Sequence, residues 1–259
     1  MIRTQKSQAT RRPPNRDGGM KVSVADREQS STELVIEHIT AGVLAGRYVP
    51  GQRLVEADLT HALGVSRGPV REAFRRLDAL GVLSRAMHRG ACVRTLTRTE
   101  AVDLLLAAEP LVGLIARLAA LEIKAPQRRR DTAQLTVELK SYRDRKLDLL
   151  HEPRARQRFY EILMALTGNS QLPSVFPTMR IHLLRLQVQS FRETDERQRN
   201  VDDFADMAKA VLDGDAKLAD RASIQHNRSM IQAIGSMPDA AFPRISASLK
   251  VQESRMALT

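Results

Sequence analysis

Arg67, Arg71 and Arg75 recur four residues apart in the run Val65-Ser66-Arg67-Gly68-Pro69-Val70-Arg71-Glu72-Ala73-Phe74-Arg75-Arg76. On a helix this spacing stacks them on one face. Val70, Phe74 and Leu77 fall on another. One side of such a helix can pack while the other presents guanidinium forks. A guanidinium offers paired donors that match guanine O6 and N7, and the major groove is wide enough for one helix. The competing reading is a solvated basic face, in which the like charges repel one another mildly. Ser66, just ahead of the arginines, is a candidate N-cap that could also touch phosphate.

The rest of the composition suits a polyanionic partner. The chain of 259 residues carries a net charge of +11. Clustered positive charge draws a protein to phosphate, although a basic balance also serves solubility. Hydrophobic residues make up 42 % and aromatic residues 3 %, with no Trp, which favours a helical core over sheets. The one cysteine, Cys92, excludes an intrachain disulfide and a Cys-based zinc cluster. It fits a reducing cytoplasm. No apolar run is read as approaching the roughly 18 residues that span a bilayer, so no membrane partner is expected. The polar N-terminus lacks the apolar core of a secretory signal.

The elements that position the arginines can be read from the surrounding pattern. Residues 1–30 show no apolar periodicity and carry many Arg and Lys, Pro13-Pro14 and Gly18-Gly19. They read as a disordered tail, either a basic arm along DNA or a plain extension. From Ser31 or Thr32 as N-cap, Leu34, Ile36, Ile39, Val43 and Leu44 predict a first helix. Gly46 and Pro50-Gly51 end it. A short helix follows over 56–63, then a turn at Gly64. A third helix runs from Ser66 to about Leu80, with Pro69 tolerated in its first turn. Residues 82–94 read as two short strands around the basic turn Arg85-Ala86-Met87-His88-Arg89-Gly90, with Cys92 in or beside the second strand.

From 99 onward only helical periodicity appears. Helices are predicted over 99–122, 126–149, 153–167, 170–193, 198–213 and 215–235, with a last one near 240–257. The fold class is therefore mostly α. A winged helix-turn-helix over 31–97 (three helices and a two-stranded wing) precedes an all-helical bundle over 98–259.

Helix, glycine turn, helix and basic wing together read DNA. The run Pro50-Gly51, Leu54, Leu59, Leu63-Gly64-Val65-Ser66-Arg67, Pro69-Val70-Arg71-Glu72-Ala73, Leu77, Gly81 and Arg89-Gly90 resembles the winged helix-turn-helix of the GntR family of transcription regulators. The helical remainder resembles the effector domain of that family's FadR/FCD branch. Its signs are Phe159 followed by Gly168-Asn169, and Gly214-Asp215 followed by His226. The resemblance implies a repressor that binds a palindromic operator in double-stranded DNA as a homodimer. It also implies that Arg67 and Arg71 meet bases or backbone, and that Arg53, Arg89 and Gly90 meet phosphate or the minor groove.

Many members of that branch bind a divalent metal through an Asp, a His four residues later, and two further His. By alignment on the motifs above, those positions fall here on Arg156, Tyr160, Phe204 and His226. One imidazole cannot make a transition-metal site, so neither metal nor other cofactor is expected, even with His182 nearby. Arg156 instead places a fixed cation there, and guanidinium binds acid groups well. Tyr160 and His226 would add hydrogen bonds and Phe204 an apolar wall. The expected effector is a small organic acid or acyl-type molecule. Equally open is a degenerate pocket in which Arg156 faces solvent or an acidic neighbour, leaving an architectural DNA-binding dimer. The other histidines, His38, His61, His88 and His151, lack partner spacing and read as surface or phosphate-facing. No nucleophile–base pair, phosphate-binding glycine loop or HExxH motif is present, so no enzyme is expected.

Overall fold

The computed structural model describes residues 24–86, 90–125, 133–145 and 153–244. It is mostly helical, with a small sheet near the N-terminus.

Helix α1 spans Val24–Leu44. Val35, Ile39 and Val43, four residues apart, are fully buried on its inner face. The helix begins inside the segment expected to be a tail, and Ser31 and Thr32 lie within it rather than capping it. Tertiary contacts account for the extension. Arg76 donates to Glu33 at 2.7 Å and to Gln29 at 3.1 Å, holding this first part of α1 against α3 (Arg67–Ala79). Residues 1–23, the rest of the expected tail, lie outside the described residues.

Strand β1, Arg53–Leu54, precedes α2, Glu56–Leu63. At two residues β1 is too short to leave a sequence pattern. Helix α2 ends at Gly64 with φ 64°, a left-handed conformation that glycine adopts without a Cβ penalty. Ser66 occupies the N-cap of α3 in extended conformation, but its side chain makes no capping bond, contrary to expectation. The inner face of α3 buries Pro69, Val70, Ala73, Phe74 and Leu77. Strands β2 (Leu83–Ala86) and β3 (Gly90–Val93) form the wing. They pair antiparallel, Leu83 opposite Val93 and Ala86 opposite Gly90. β1 adds to the other edge of β3, giving the order β1-β3-β2. Cys92 sits in β3, opposite Arg53.

Helix α4, Arg98–Glu122, opens the helical bundle. Thr97 and Glu100 form a reciprocal capping box at its start. By length and composition α4 could cross a membrane, which corrects the reading that no apolar run comes near that length. Glu109 and Arg117 interrupt the run in the sequence without shortening the helix. Its apolar residues form the bundle core: Leu104, Leu105, Ala108, Val112, Ile115, Ala116 and Ala119 are buried. α4 lies along α10 (Ala216–Ser236), its most extensive neighbour. A Cβ on Gly113 would come within 2.4 Å of Asp220 Oδ1 and 3.0 Å of Ile224, so the absent side chain permits this close approach.

The remaining helices are α5 (Ala133–Arg143), α6 (Pro153–Thr167), α7 (Leu172–Val175), α8 (Thr178–Val188) and α9 (Thr194–Asp213). α6 has its predicted bounds. α5 is shorter than predicted within the described residues. The single helix expected over 170–193 is broken. Phe176 is extended (φ −78°, ψ 124°) ahead of Pro177, because the proline ring disfavours helical conformation in the residue before it. Residues 194–197, expected to lie between two helices, form the first turn of α9. Asp195 and Glu196 there favour the positive end of the helix dipole. Asp215 caps α10 by accepting from the Leu218 amide at 2.9 Å. Of the helix expected near 240–257, Asp239–Ala241 is a single 3-10 turn, and residues 245–259 are outside the description.

Two hydrophobic cores result, one under α1–α3 and the wing, the other in the bundle. α8 serves both. Leu183 and Leu186 belong to the first, whereas Ile181, Leu184 and Val188 belong to the second. This explains why α8 is buried almost all round.

Candidate nucleic-acid interface and effector pocket

The exposed face of α3 carries the three spaced arginines, while its opposite face is sealed into the first core. Arg67 is exposed and, among the described residues, has no ion-pair partner. Arg71 donates from Nε to Glu56 at 2.9 Å, which leaves its terminal nitrogens facing outward. Arg75 is bound at both edges by Glu72, Nε at 2.8 Å and Nη2 at 2.6 Å. Glu72 also accepts from Arg76 at 2.9 Å. These bonds from Arg75 and Arg76 hold the Glu72 carboxyl down at about 2. The expectation that the like charges of this face would simply repel one another is corrected here. Two of its three arginines have carboxylate partners, one of them brought in from α2 by the fold.

Ser66 is exposed at the start of the same helix. Arg53 is exposed on edge strand β1, with Leu54 turned into the core. Gly90 opens β3. Arg89 and His88 lie outside the described residues, as does His151. His38 is half-buried with a ring nitrogen 3.0 Å from the Tyr48 hydroxyl, so it has a specific partner that sequence spacing did not reveal.

In the bundle, the four expected effector residues converge. Arg156 and Tyr160 stand one turn apart on α6, Phe204 comes from α9 and His226 from α10. All four are buried. The Phe204 ring centre is 5.0 Å from that of His226 and 6.2 Å from that of Tyr160. Phe159 and Phe176 complete an aromatic cluster against Tyr160. The reading of Arg156 as solvent-facing is not what the structure shows. Burial pushes its pKa down to about 9, with further lowering from Arg185, Arg192 and Arg197.

Sequence reasoning missed the partners of this cluster. Arg185 of α8 lies over the Tyr160 ring at 5.5 Å and the Phe204 ring at 5.9 Å. It is buried and its Nε has no hydrogen-bond partner among the described residues. Arg192, equally buried, is paired with Glu196 at 2.8 Å. His226 Nδ1 lies 2.9 Å from Asp203 Oδ2. A carboxylate only accepts, so Nδ1 carries the hydrogen. His226 Nε2 is buried without a partner among the described residues. Burial lowers the His226 pKa, opposed by the bond to Asp203. An Arg on an apolar helix reads in sequence as a snorkelling surface residue, so only packing reveals Arg185.

A cleft of about 580 Å³ opens between the start of α9 and the end of α10, lined by Arg192, Glu196, Asn200, Asp203 and Met230 among others. Asp203 thus borders this cleft and holds His226 behind it. The set does not fit a divalent cation. His226 is the one imidazole of the cluster, and the Arg185 cation covers the rings that stand where ligands would. Among the described residues no group of three His, Cys, Asp or Glu side chains could hold a metal. His182, considered as a neighbour, points elsewhere. Its Nε2 is 3.3 Å from the Val43 carbonyl of α1, at the junction of the two cores.

Comparison with known proteins places both halves. Residues 31–93 match the model for bacterial regulatory proteins of the gntR family, and residues 103–229 match the FCD domain. The chain is 26 % identical over 204 residues to the "Probable D-xylose utilization operon transcriptional repressor" of Paenarthrobacter nicotinovorans, covering 77 % of this chain and 86 % of that one. It is 41 % identical over 78 residues to the HTH-type transcriptional regulator Mce2R of Mycobacterium tuberculosis, 30 % of this chain and 32 % of that one. Among solved structures, a GntR transcriptional regulator of Rhodococcus sp. RHA1 superposes with a TM-score of 0.64 at 20 % identity, covering 80 % of this chain and 99 % of that one. E. coli McbR/YncC gives 0.62 at 18 % identity, covering 79 % and 96 %. These two share the fold. The chain belongs to the GntR family of bacterial transcription regulators, with a winged helix-turn-helix followed by an FCD domain.

Proposed function

We propose that this regulator is a cytoplasmic repressor that binds a palindromic operator as a homodimer and is controlled by a small organic acid held in the bundle. It performs no catalysis. The observation that carries the DNA reading is the division of α3 into a sealed face and an exposed arginine face. Arg67 and Arg71 read base edges. Arg75, whose donor edges are engaged by Glu72, serves as a phosphate contact. Ser66, Arg53, Arg89 and Gly90 meet backbone or minor groove.

The effector reading rests on the buried cluster of Arg156, Tyr160, Phe204 and His226. Arg156 lies near Arg185, Arg192 and Arg197 as well as Glu196, and a guanidinium binds acid groups well. The link to DNA binding runs through α8. Its Arg185 touches Tyr160 and Phe204, while Leu183 and Leu186 enter the core of the winged helix. An acid that favours one arrangement of α8 shifts the population of DNA-competent dimers.

Footprinting and gel shift with genomic fragments test the first part. A symmetric protected site, bound by two copies, is expected, and binding without sequence preference would overturn it. A gel shift with small acids tests the second. Release or tightening of the operator complex is expected. No response of operator affinity or melting temperature to any acid would leave an architectural dimer.

A further inference from the structure

We propose that the groove between α4 and the corner joining α7 to α8 binds an amino acid with an apolar side chain, its carboxylate on Arg180 and its ammonium on Asp103. The groove lies at the junction with the winged helix. It is separate from the cluster of Arg156, Tyr160, Phe204 and His226 and does not rest on the acid-effector reading.

The groove has a volume of about 410 Å³, a size at which small-molecule sites are found. Leu104 and Leu111 of α4, with Val175 and Pro177 of the corner, give it an apolar floor. Val175 is 57 % exposed, so the floor is open to a ligand. Two opposite charges, Arg180 and Asp103, border it.

Arg180 is seated without being paired. Its side chain passes over Gly81, where a Cβ would meet Arg180 Cδ at 3.4 Å and Nε at 3.5 Å. Nε is buried and has no hydrogen-bond partner among the described residues. Burial lowers the Arg180 pKa and Arg94 lowers it further, opposed by Glu100. The Glu100 carboxylate is itself engaged, by Arg94 at 2.9 Å and by the Thr97 amide at 2.9 Å. A buried donor left without an acceptor marks a place where one is expected, and a guanidinium takes a carboxylate by two parallel bonds.

Asp103 supplies the opposite pole. It is exposed, and among the described residues no ion pair joins it to Arg180 or to any other cation. A carboxylate only accepts, and an ammonium offers three donors. An acid alone would leave Asp103 beside apolar carbon, and an amine alone would leave Arg180 Nε unsatisfied. A ligand with both charges and an apolar side chain answers all three parts of the groove. Through Gly81, Arg180 also connects the groove to the turn that follows the DNA-reading helix α3.

The test uses the full chain and calorimetry. The probes are leucine, 4-methylpentanoate, which lacks its ammonium, and 3-methylbutylamine, which lacks its carboxylate. Leucine should bind about tenfold more tightly than either, the effect of one charge-assisted hydrogen bond. Arg180→Met keeps an apolar stem against Gly81. It should weaken leucine by about tenfold and leave the amine unchanged. Asp103→Asn should weaken leucine and leave the acid unchanged. Both variants should melt as the parent does, since neither residue is in an ion pair. An acid held at the buried cluster would be indifferent to both variants and so is told apart. Leucine binding that neither variant changes would overturn the site. Leucine binding lost in Arg180→Met but unchanged in Asp103→Asn would overturn the amino-acid class. Failure of leucine to bind would overturn the proposal and leave the acid-effector reading standing.

Discussion

Arg71 of α3 is fixed by Glu56 of α2 through a 2.9 Å bond to its Nε. The bond crosses the turn between the two helices and uses the one guanidinium nitrogen that a bidentate contact through the terminal pair does not need. Both side chains are solvent-accessible, so the pair adds little to stability. Its effect is on orientation. Arg71→Ala and Arg67→Ala should each weaken operator binding by about 1–3 kcal/mol. Arg75→Ala should cost less, because Glu72 already holds both of its donor edges. Glu56→Gln should leave the melting temperature nearly unchanged and weaken operator binding by less than Arg71→Ala. Fluorescence anisotropy with an operator duplex checks all four. Equal losses at Arg67, Arg71 and Arg75 would contradict the ranking.

The shared helix α8 makes a separate prediction. Leu183 is 1 % exposed and sits in the core of the winged helix although it belongs to the bundle chain. Leu183→Ala should destabilise by about 2–5 kcal/mol through the cavity it leaves. It should also reduce the change in operator affinity that an acid effector produces, while effector affinity itself changes little. Denaturant melts and paired titrations with and without DNA measure both.

Acid should unfold the protein earlier than its carboxylates alone require. Burial pushes the His182 pKa down to about 4, from an ordinary value of 6.5. The unfolded chain therefore takes up a proton near pH 6.5 that the folded chain refuses until near pH 4. Stability from this site is complete above pH 6.5 and declines as pH falls through that window, by up to about 3 kcal/mol. His226 is displaced in the same direction, chiefly by burial. His182→Gln should flatten the fall in denaturation midpoint between pH 7.5 and 4.5.

Chelation should be without consequence. His226 has one carboxylate neighbour, Asp203, and otherwise faces Arg156, Arg185 and the Phe204 ring, too few donors for a divalent cation, so dialysis against a chelator should leave melting temperature and operator affinity unchanged. Elemental analysis of the purified protein should find well under one zinc, nickel or manganese per chain. One stoichiometric metal would refute this.

At the start of the bundle, Thr97→Ala removes one half of the capping box with Glu100. The expected cost is about 1 kcal/mol. Thr97→Ser should recover most of it, since the hydroxyl is the group that accepts from the Glu100 amide.

The sequence by itself determined the helix-turn-helix, the wing strands and most of the bundle. It did so because helical periodicity, Gly64, Gly81 and Pro153 are local signals with local causes. It also brought Arg156, Tyr160, Phe204 and His226 into one candidate pocket through their place in family motifs. Tertiary structure decided the rest. The start of α1 moved to Val24 because Arg76, distant in sequence, holds Gln29 and Glu33. β1 exists only because β3 offers it an edge. Glu56 became a partner of Arg71, and Arg185 became part of the effector cluster, through contacts between helices. Periodicity records which side of a helix is apolar, but it carries no record of which other helix that side will meet, nor of a charged side chain that packing carries indoors.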